Sequence, residues 1–361
     1  MKKKLTIILA LVLMICAIPG CGKKNDSSFF KEIKKMQGIK TGKAEAEVNI
    51  SLEGDNVTKY IPATFVKDGK VQGKLKIETA TQSAKKMMVK LYLQFLSDEY
   101  DEVTTFIFYE DKLYLDAGKF ISYMKKVDAT VGAQIEVALS QMSVKDWASI
   151  DLNQLKKYLG MDETKTVDTT KFVQAIKKAT DSMDENFKDL QGTDDEDYTF
   201  CINEKNAEQA VEALIKFCEN NLKEYYVAFL DCCIDAYGEN TVVGKTFKDA
   251  KEKADSEIGD SINEIKSNKD KMINAIKDSN ANIVAKASVT GNEDSRKGKL
   301  SIETGKLKIN DLTMNISYSM KAEEGKVTVD VSDKNSVDLT SYIIMYYNYM
   351  LQSQQLSGMM Q

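Results

Sequence analysis

Histidine is absent from this 361-residue chain. Its absence removes imidazole general bases, Ser-His-Asp triads, imidazole metal ligands and histidine pH switches together. Arginine occurs once, at Arg296, and the other 49 basic residues are lysines, so guanidinium clamps on phosphate or carboxylate are nearly excluded. Proline occurs twice, and no Pro/Ser/Gly-rich stretch marks a linker between domains. What is present is ordinary for a folded protein: 43% apolar and 29% charged residues. The formal charge of -5 becomes -8 if Lys2, Lys3 and Lys4 depart with a leader, and an acidic chain is a poor match for nucleic acid.

Residues 1–20 have the layout of a secretory signal peptide: three lysines, an apolar run from Leu5 to Ile18, and a small residue before a cysteine. A run of about 14 apolar residues is too short for an ordinary membrane-spanning helix. Its end, Ile18-Pro19-Gly20-Cys21, resembles the lipobox of bacterial lipoproteins, with Gly20 and Cys21 on pattern and Pro19 departing from it. The resemblance implies diacylglycerol on the Cys21 sulfur, cleavage before that residue, and an exported protein anchored by lipid to the outer face of the cell membrane. Two acyl chains at ~0.8 kcal/mol per buried CH₂ suffice for stable membrane residence. Residues 21–28 then form a short lipidated tether.

Residues 29–361 read as a single domain. The spacing of Phe30, Ile33 and Met36 predicts a helix from about Ser28 to Gln37, stopped by Gly38. Strict alternation follows: Ala44, Ala46, Val48, Ile50 and Leu52 share one face of a strand and Glu45, Glu47, Asn49 and Ser51 the other. Further strands are expected at Val71–Thr79, Met87–Leu96, Val103–Tyr109 and Leu113–Asp116, which makes a β block over 44–118. The period turns helical over 133–280, with helices at Thr170–Phe187, Asn206–Tyr237 and Phe247–Ile276, the last with Gly259 as a candidate kink. A second β block spans 282–332, its last strand carried by Val327, Val329 and Val331, and a C-terminal helix spans 338–356 with Asp338 as its cap. The fold class is therefore α+β: one large, curved, half-barrel-like antiparallel sheet built from both β blocks, covered by the central helical insertion and the C-terminal helix. A strand–helix–strand plan behind a lipobox resembles the LolA/LppX-like lipoproteins, and that resemblance implies an apolar cavity for lipid or acyl chains.

Candidate chemistry is sparse. Cys218 and Cys232 lie 14 residues apart on one predicted helix, roughly 21 Å at 1.5 Å per residue, too far for a disulfide. Free thiols acting as small buried hydrophobes are the expectation; the alternative is a disulfide through Cys201, on the strand before that helix, which is the one thiol placed to be a disulfide partner. Fragments of a penicillin-binding-type serine site occur at Ser83-Ala84-Lys85-Lys86, Ser261-Ile262-Asn263 and Lys40-Thr41-Gly42, but in the wrong order and setting. The run Asp194-Asp195-Glu196-Asp197 lacks calcium-loop spacing and reads as a solvated turn. From Leu339 to Gln361 no residue is charged, and Tyr342, Ile343, Tyr346, Tyr347, Met350 and Leu351 recur at helical spacing. A buried helix packed into the concave face of the sheet is the expectation, with a pocket wall or a bilayer contact as alternatives.

These readings point to a non-catalytic lipoprotein with no cofactor and no metal, bound to membrane lipid through Cys21 and carrying a hydrophobic molecule. The alternative is a surface scaffold that binds no small ligand.

Overall fold

The computed structural model describes residues 28–59, 61, 66–95, 99–160, 167–292, 294–309 and 311–359. The leader and Cys21 lie outside the described residues.

The strand with the cleanest alternation, β1 (Gly42–Glu53), is the axis of the fold. It pairs antiparallel with β2 (Lys70–Ser83), Val48 opposite Leu75, and with β12 (Leu312–Glu324), Val48 opposite Tyr318. Beyond β2 the sheet runs through β3 (Lys86–Gln94), β4 (Asp101–Tyr109), β5 (Lys112–Asp116) and β6 (Trp147–Asp151) to the edge strand β13 (Ser336–Asp338). Beyond β12 it runs through β10 (Lys297–Glu303), β9 (Asn282–Thr290) and β8 (Asp197–Asn203) to the other edge, β7 (Gln191–Asp194). A short β11 (Leu307–Ile309) also pairs with β12. Strands from both β blocks thus form one open sheet, antiparallel except where β13 runs parallel to β6.

Helix α1 (Phe29–Gln37) opens the described chain, and the Ser28 hydroxyl accepts the Lys31 amide as its cap. Its Phe29 ring stacks on Phe200 at a centroid separation of 5.6 Å, and Phe30 meets Phe200 and Phe187 at 5.4 and 6.0 Å. Gly298 on β10 lets the helix approach closely, since a Cβ there would lie 2.5 Å from the Met36 side chain. The only arginine locks the far end: Arg296 donates to both oxygens of Glu324 at 2.6 and 2.9 Å and to the Gly38 carbonyl at 3.1 Å.

Three more helices lie with α1 over the same region: α5 (Thr170–Asn186), α6 (Ala207–Tyr237) and α8 (Lys269–Asp278). They bury the apolar residues of β8, β9, β10 and β12 in one continuous core. The helix expected over 247–276 is two: α7 (Val242–Ser267) and α8, divided at Asn268. The break falls at Asn268, whose side chain also donates to the Glu264 carbonyl, and Gly259 lies inside the unbroken α7. The remaining helices are α2 (Ala117–Val127), α3 (Ala129–Gln141), α4 (Leu152–Tyr158) and α9 (Thr340–Met359).

Two expectations are corrected here. Residues Val327, Val329 and Val331 do not form a strand: β12 ends at Glu324, and the Val329 amide is satisfied by the Gln82 side chain at 2.9 Å in place of a ladder. The C-terminal helix spans Thr340–Met359, starting two residues later than expected, and the Asp338 carboxylate just ahead of it accepts the Thr340 amide at 2.9 Å. It is not buried: Tyr346 is 65% and Tyr349 68% exposed.

Candidate functional site

The alternation that builds the strands gives the sheet one apolar face across its central strands, β3 to β9. Register aligns the face residue by residue: Leu91, Ile77, Ala46, Met320, Leu300 and Ala287 form one cross-strand row. The next row runs Leu93, Leu75, Val48, Tyr318, Ile302 and Ala285.

Burial divides these rows at β1. Ala285 is fully buried and Ile302 is 1% exposed, whereas every residue of β3 is half-exposed and Ile50 reaches 46%. Val48, Leu75, Ile77, Val89, Leu91, Phe106 and Phe108 are absent from all three hydrophobic clusters formed by the described residues. The loop around Val57 closes only one end of this surface, over Leu52, Val71 and Leu312. The open half of the apolar face, from β1 to β4, is the candidate binding surface. A contiguous exposed apolar area of this kind is unusual on a soluble body and marks a binding site.

Helix α9 stands at the edge of that half. Strands β6 and β13 run parallel, so the helices that follow them, α4 and α9, leave the sheet side by side. The Thr340 hydroxyl accepts the Asp151 amide at 2.7 Å, and Tyr158 meets Tyr347 edge-on at 6.2 Å and donates to Asn348. The outer residues Tyr342, Ile343, Met345, Tyr346, Tyr349 and Met350 face solvent. Among the described residues, no helix is long and apolar enough to cross a membrane.

The opposite face is polar and ordered by its own contacts. Lys76 lies opposite both Tyr92 and Glu47, with its ammonium 4.3 Å from the centre of the Tyr92 ring and 5.1 Å from that of Tyr100. Tyr100 donates to Glu47 at 2.6 Å and Tyr92 to Glu78 at 3.0 Å. The Tyr100 and Asn49 hydrogen bonds hold the Glu47 carboxyl below its usual range. Partial burial, followed by the hydrogen bond to a carboxylate, pushes the Tyr92 and Tyr100 hydroxyls well above theirs. Glu47 therefore stays ionised and both tyrosines stay neutral at neutral pH, and the network positions side chains without supplying an acid or base. Sequence reasoning missed it because Tyr100 reaches Glu47 from a loop. The Lys76-x-Glu78 spacing was the only local signal.

The sequence-predicted positions are scattered. Cys201, Cys218, Cys232 and Cys233 are all unbridged, and Cys201 accepts a hydrogen bond from Asn203 at 3.3 Å. Burial pushes the Cys218 thiol up to about 11 and raises Cys232 and Cys233, so none of these three is a thiolate at neutral pH. Ser83 ends β2, Ser261 lies on the exposed side of α7, and Thr41 just before β1, three separate places in the fold. The acidic run forms the β7–β8 turn, Asp195 in the left-handed region at φ 54° and Asp194 paired with Lys286 at 2.6 Å. Among the described residues, no three Cys, Asp or Glu side chains gather as a metal site. The chain matches no protein-family model, no curated protein and no solved structure.

Proposed function

We propose that this protein is an exported, non-catalytic lipoprotein, anchored through Cys21 to the outer face of the cell membrane, that binds or carries a hydrophobic molecule on the open half of its sheet. One observation carries the reading: a strand-built apolar face is sealed by helices over β8 to β10, partly covered over β12, and left half-exposed and outside the core from β1 to β4. Leaving that surface in water forgoes about 25 cal/mol for each Å² that a cover would bury, and an acyl chain would recover it. The lipobox supplies the address, and the short tether brings the body close to the bilayer from which such a molecule would come. The alternative reading, a scaffold module with no small ligand, draws on α9, whose uncharged exposed surface suits a protein partner.

The test is mass spectrometry of organic extracts from the body beginning after Cys21. The carrier reading expects a co-purifying acyl-chain compound near one per protein. Clean protein, with no apolar probe bound on addition, would leave the scaffold.

A further inference from the structure

The polar face carries a trough of about 490 Å³ where β10, β12, β1, β2 and β3 lie side by side, on the side of the sheet opposite the proposed hydrophobic surface. Register sets its charges in two cross-strand rows. One reads Lys90, Glu78, Glu45, Lys321, Lys299, and the other Met88, Ala80, Lys43, Glu323, Lys297.

Two of the three carboxylates are already engaged. Glu78 is held by Lys76 at 2.9 Å and by Tyr92 at 3.0 Å, and Glu323 by Lys297 at 2.9 Å. Lys43, Lys90, Lys299 and Lys321 make no ion pair among the described residues. Lys90 faces Glu78 and acts electrostatically on it and on Glu102, which leaves Lys43, Lys299 and Lys321 against the single carboxylate of Glu45, in a chain whose formal charge is -5. Lys299 and Lys321 also stand directly opposite one another, an arrangement that destabilises a strand pair. Strands lie about 4.8 Å apart, so two opposed lysines can converge on one tetrahedral anion.

We propose that this trough binds a phosphate-bearing anion, with Lys299 and Lys321 sharing its oxygens and Lys43 flanking it. The anion relieves the repulsion between the opposed pair, and the flanking ammonium group favours two or more negative charges over one. Nothing in this depends on the apolar face, which lies across the sheet.

The experiment titrates inorganic pyrophosphate into the full chain by calorimetry, and in parallel measures co-sedimentation with phosphatidylcholine vesicles containing phosphatidylglycerol. Three proteins are compared: wild type, Lys299→Thr/Lys321→Thr, and the charge-matched Lys245→Gln/Lys253→Gln on the exposed side of α7. Wild type is expected to bind saturably, the trough variant at least about tenfold more weakly, and the control within about twofold of wild type. The trough variant should melt at or above the wild-type temperature, because a repulsive pair has been removed, so its loss of binding will not reflect unfolding. Pyrophosphate binding assigns the ligand to free anions, and vesicle binding lost in the same variant assigns it to a lipid headgroup. No saturable binding to either probe, or equal loss in both variants, overturns the proposal.

Discussion

The two halves of the sheet share one pattern and differ in what lies on top of it. In β9 and β10, Ala285, Ala287, Leu300 and Ile302 alternate with polar residues and are buried under α1, α5, α6 and α8. In β1 to β3, Ala46, Val48, Leu75, Ile77, Leu91 and Leu93 alternate just as strictly and remain half-exposed. Alternation therefore says which side of a strand is apolar and does not say whether the protein itself covers it. The covered half spends its apolar surface on stability, and the open half keeps its own available for a ligand.

Substitutions should expose that contrast, most strongly in the core. Phe200→Ala, in the aromatic cluster beneath α1, is expected to cost about 3–5 kcal/mol in urea unfolding, whereas Leu91→Ala in the open half should cost about 1 kcal/mol. Equal costs would mean that the two halves are equally packed. Arg296→Met removes the paired hydrogen bonds to Glu324 and should cost about 2 kcal/mol near neutral pH.

That loss should depend on pH in a definite direction. The Arg296 hydrogen bond, opposed by partial burial, holds the Glu324 carboxyl below its ordinary 4.5. The pair's contribution is therefore fully present above pH 4.5 and fades as pH falls through the folded-state value, so wild type and variant should converge in acid. A gap that stays constant down to strongly acid pH would show that the bond is not what stabilises this corner.

The smaller effects belong to the open half. Truncation after Ser341 removes a helix whose described side chains, Tyr342 to Met350, are mostly in solvent, and the unfolding free energy should change by no more than about 1 kcal/mol. Collapse of the fold on truncation would mean that α9 is part of the core. Leu91→Lys should cost about 1 kcal/mol, like Leu91→Ala and well below Phe200→Ala, yet reduce the loading of an apolar ligand sharply, because it places a charge in the middle of the open face. Undiminished loading would place the ligand elsewhere.

Much of the fold was legible in the sequence because most of its elements have one dry side. The five alternating residues from Ala44 to Leu52 mark β1, the spacing of Phe30, Ile33 and Met36 marks α1, and the stripe through Val211 and Cys218 marks α6. What could not be read depends on tertiary partners. The parallel pairing of β13 with β6 joins segments far apart in the chain. The apolar composition of α9 predicted burial because a helix that is hydrophobic all round usually has a partner on every side, and here the described residues supply one only along α4. The site was half legible in the same way. The sequence marks the apolar face of β1 to β4, whereas its lack of a cover emerges only once α1, α5, α6 and α8 are all seated on the other half.

The difference between the halves can be read directly from a spin-labelled fatty acid titrated into the isotope-labelled body, with amide line broadening followed strand by strand. Broadening concentrated on β1 to β4, centred near Leu75 and Leu91 and absent from β9 and β10, is the result this account predicts. Uniform weak broadening, or broadening confined to α9, would contradict it.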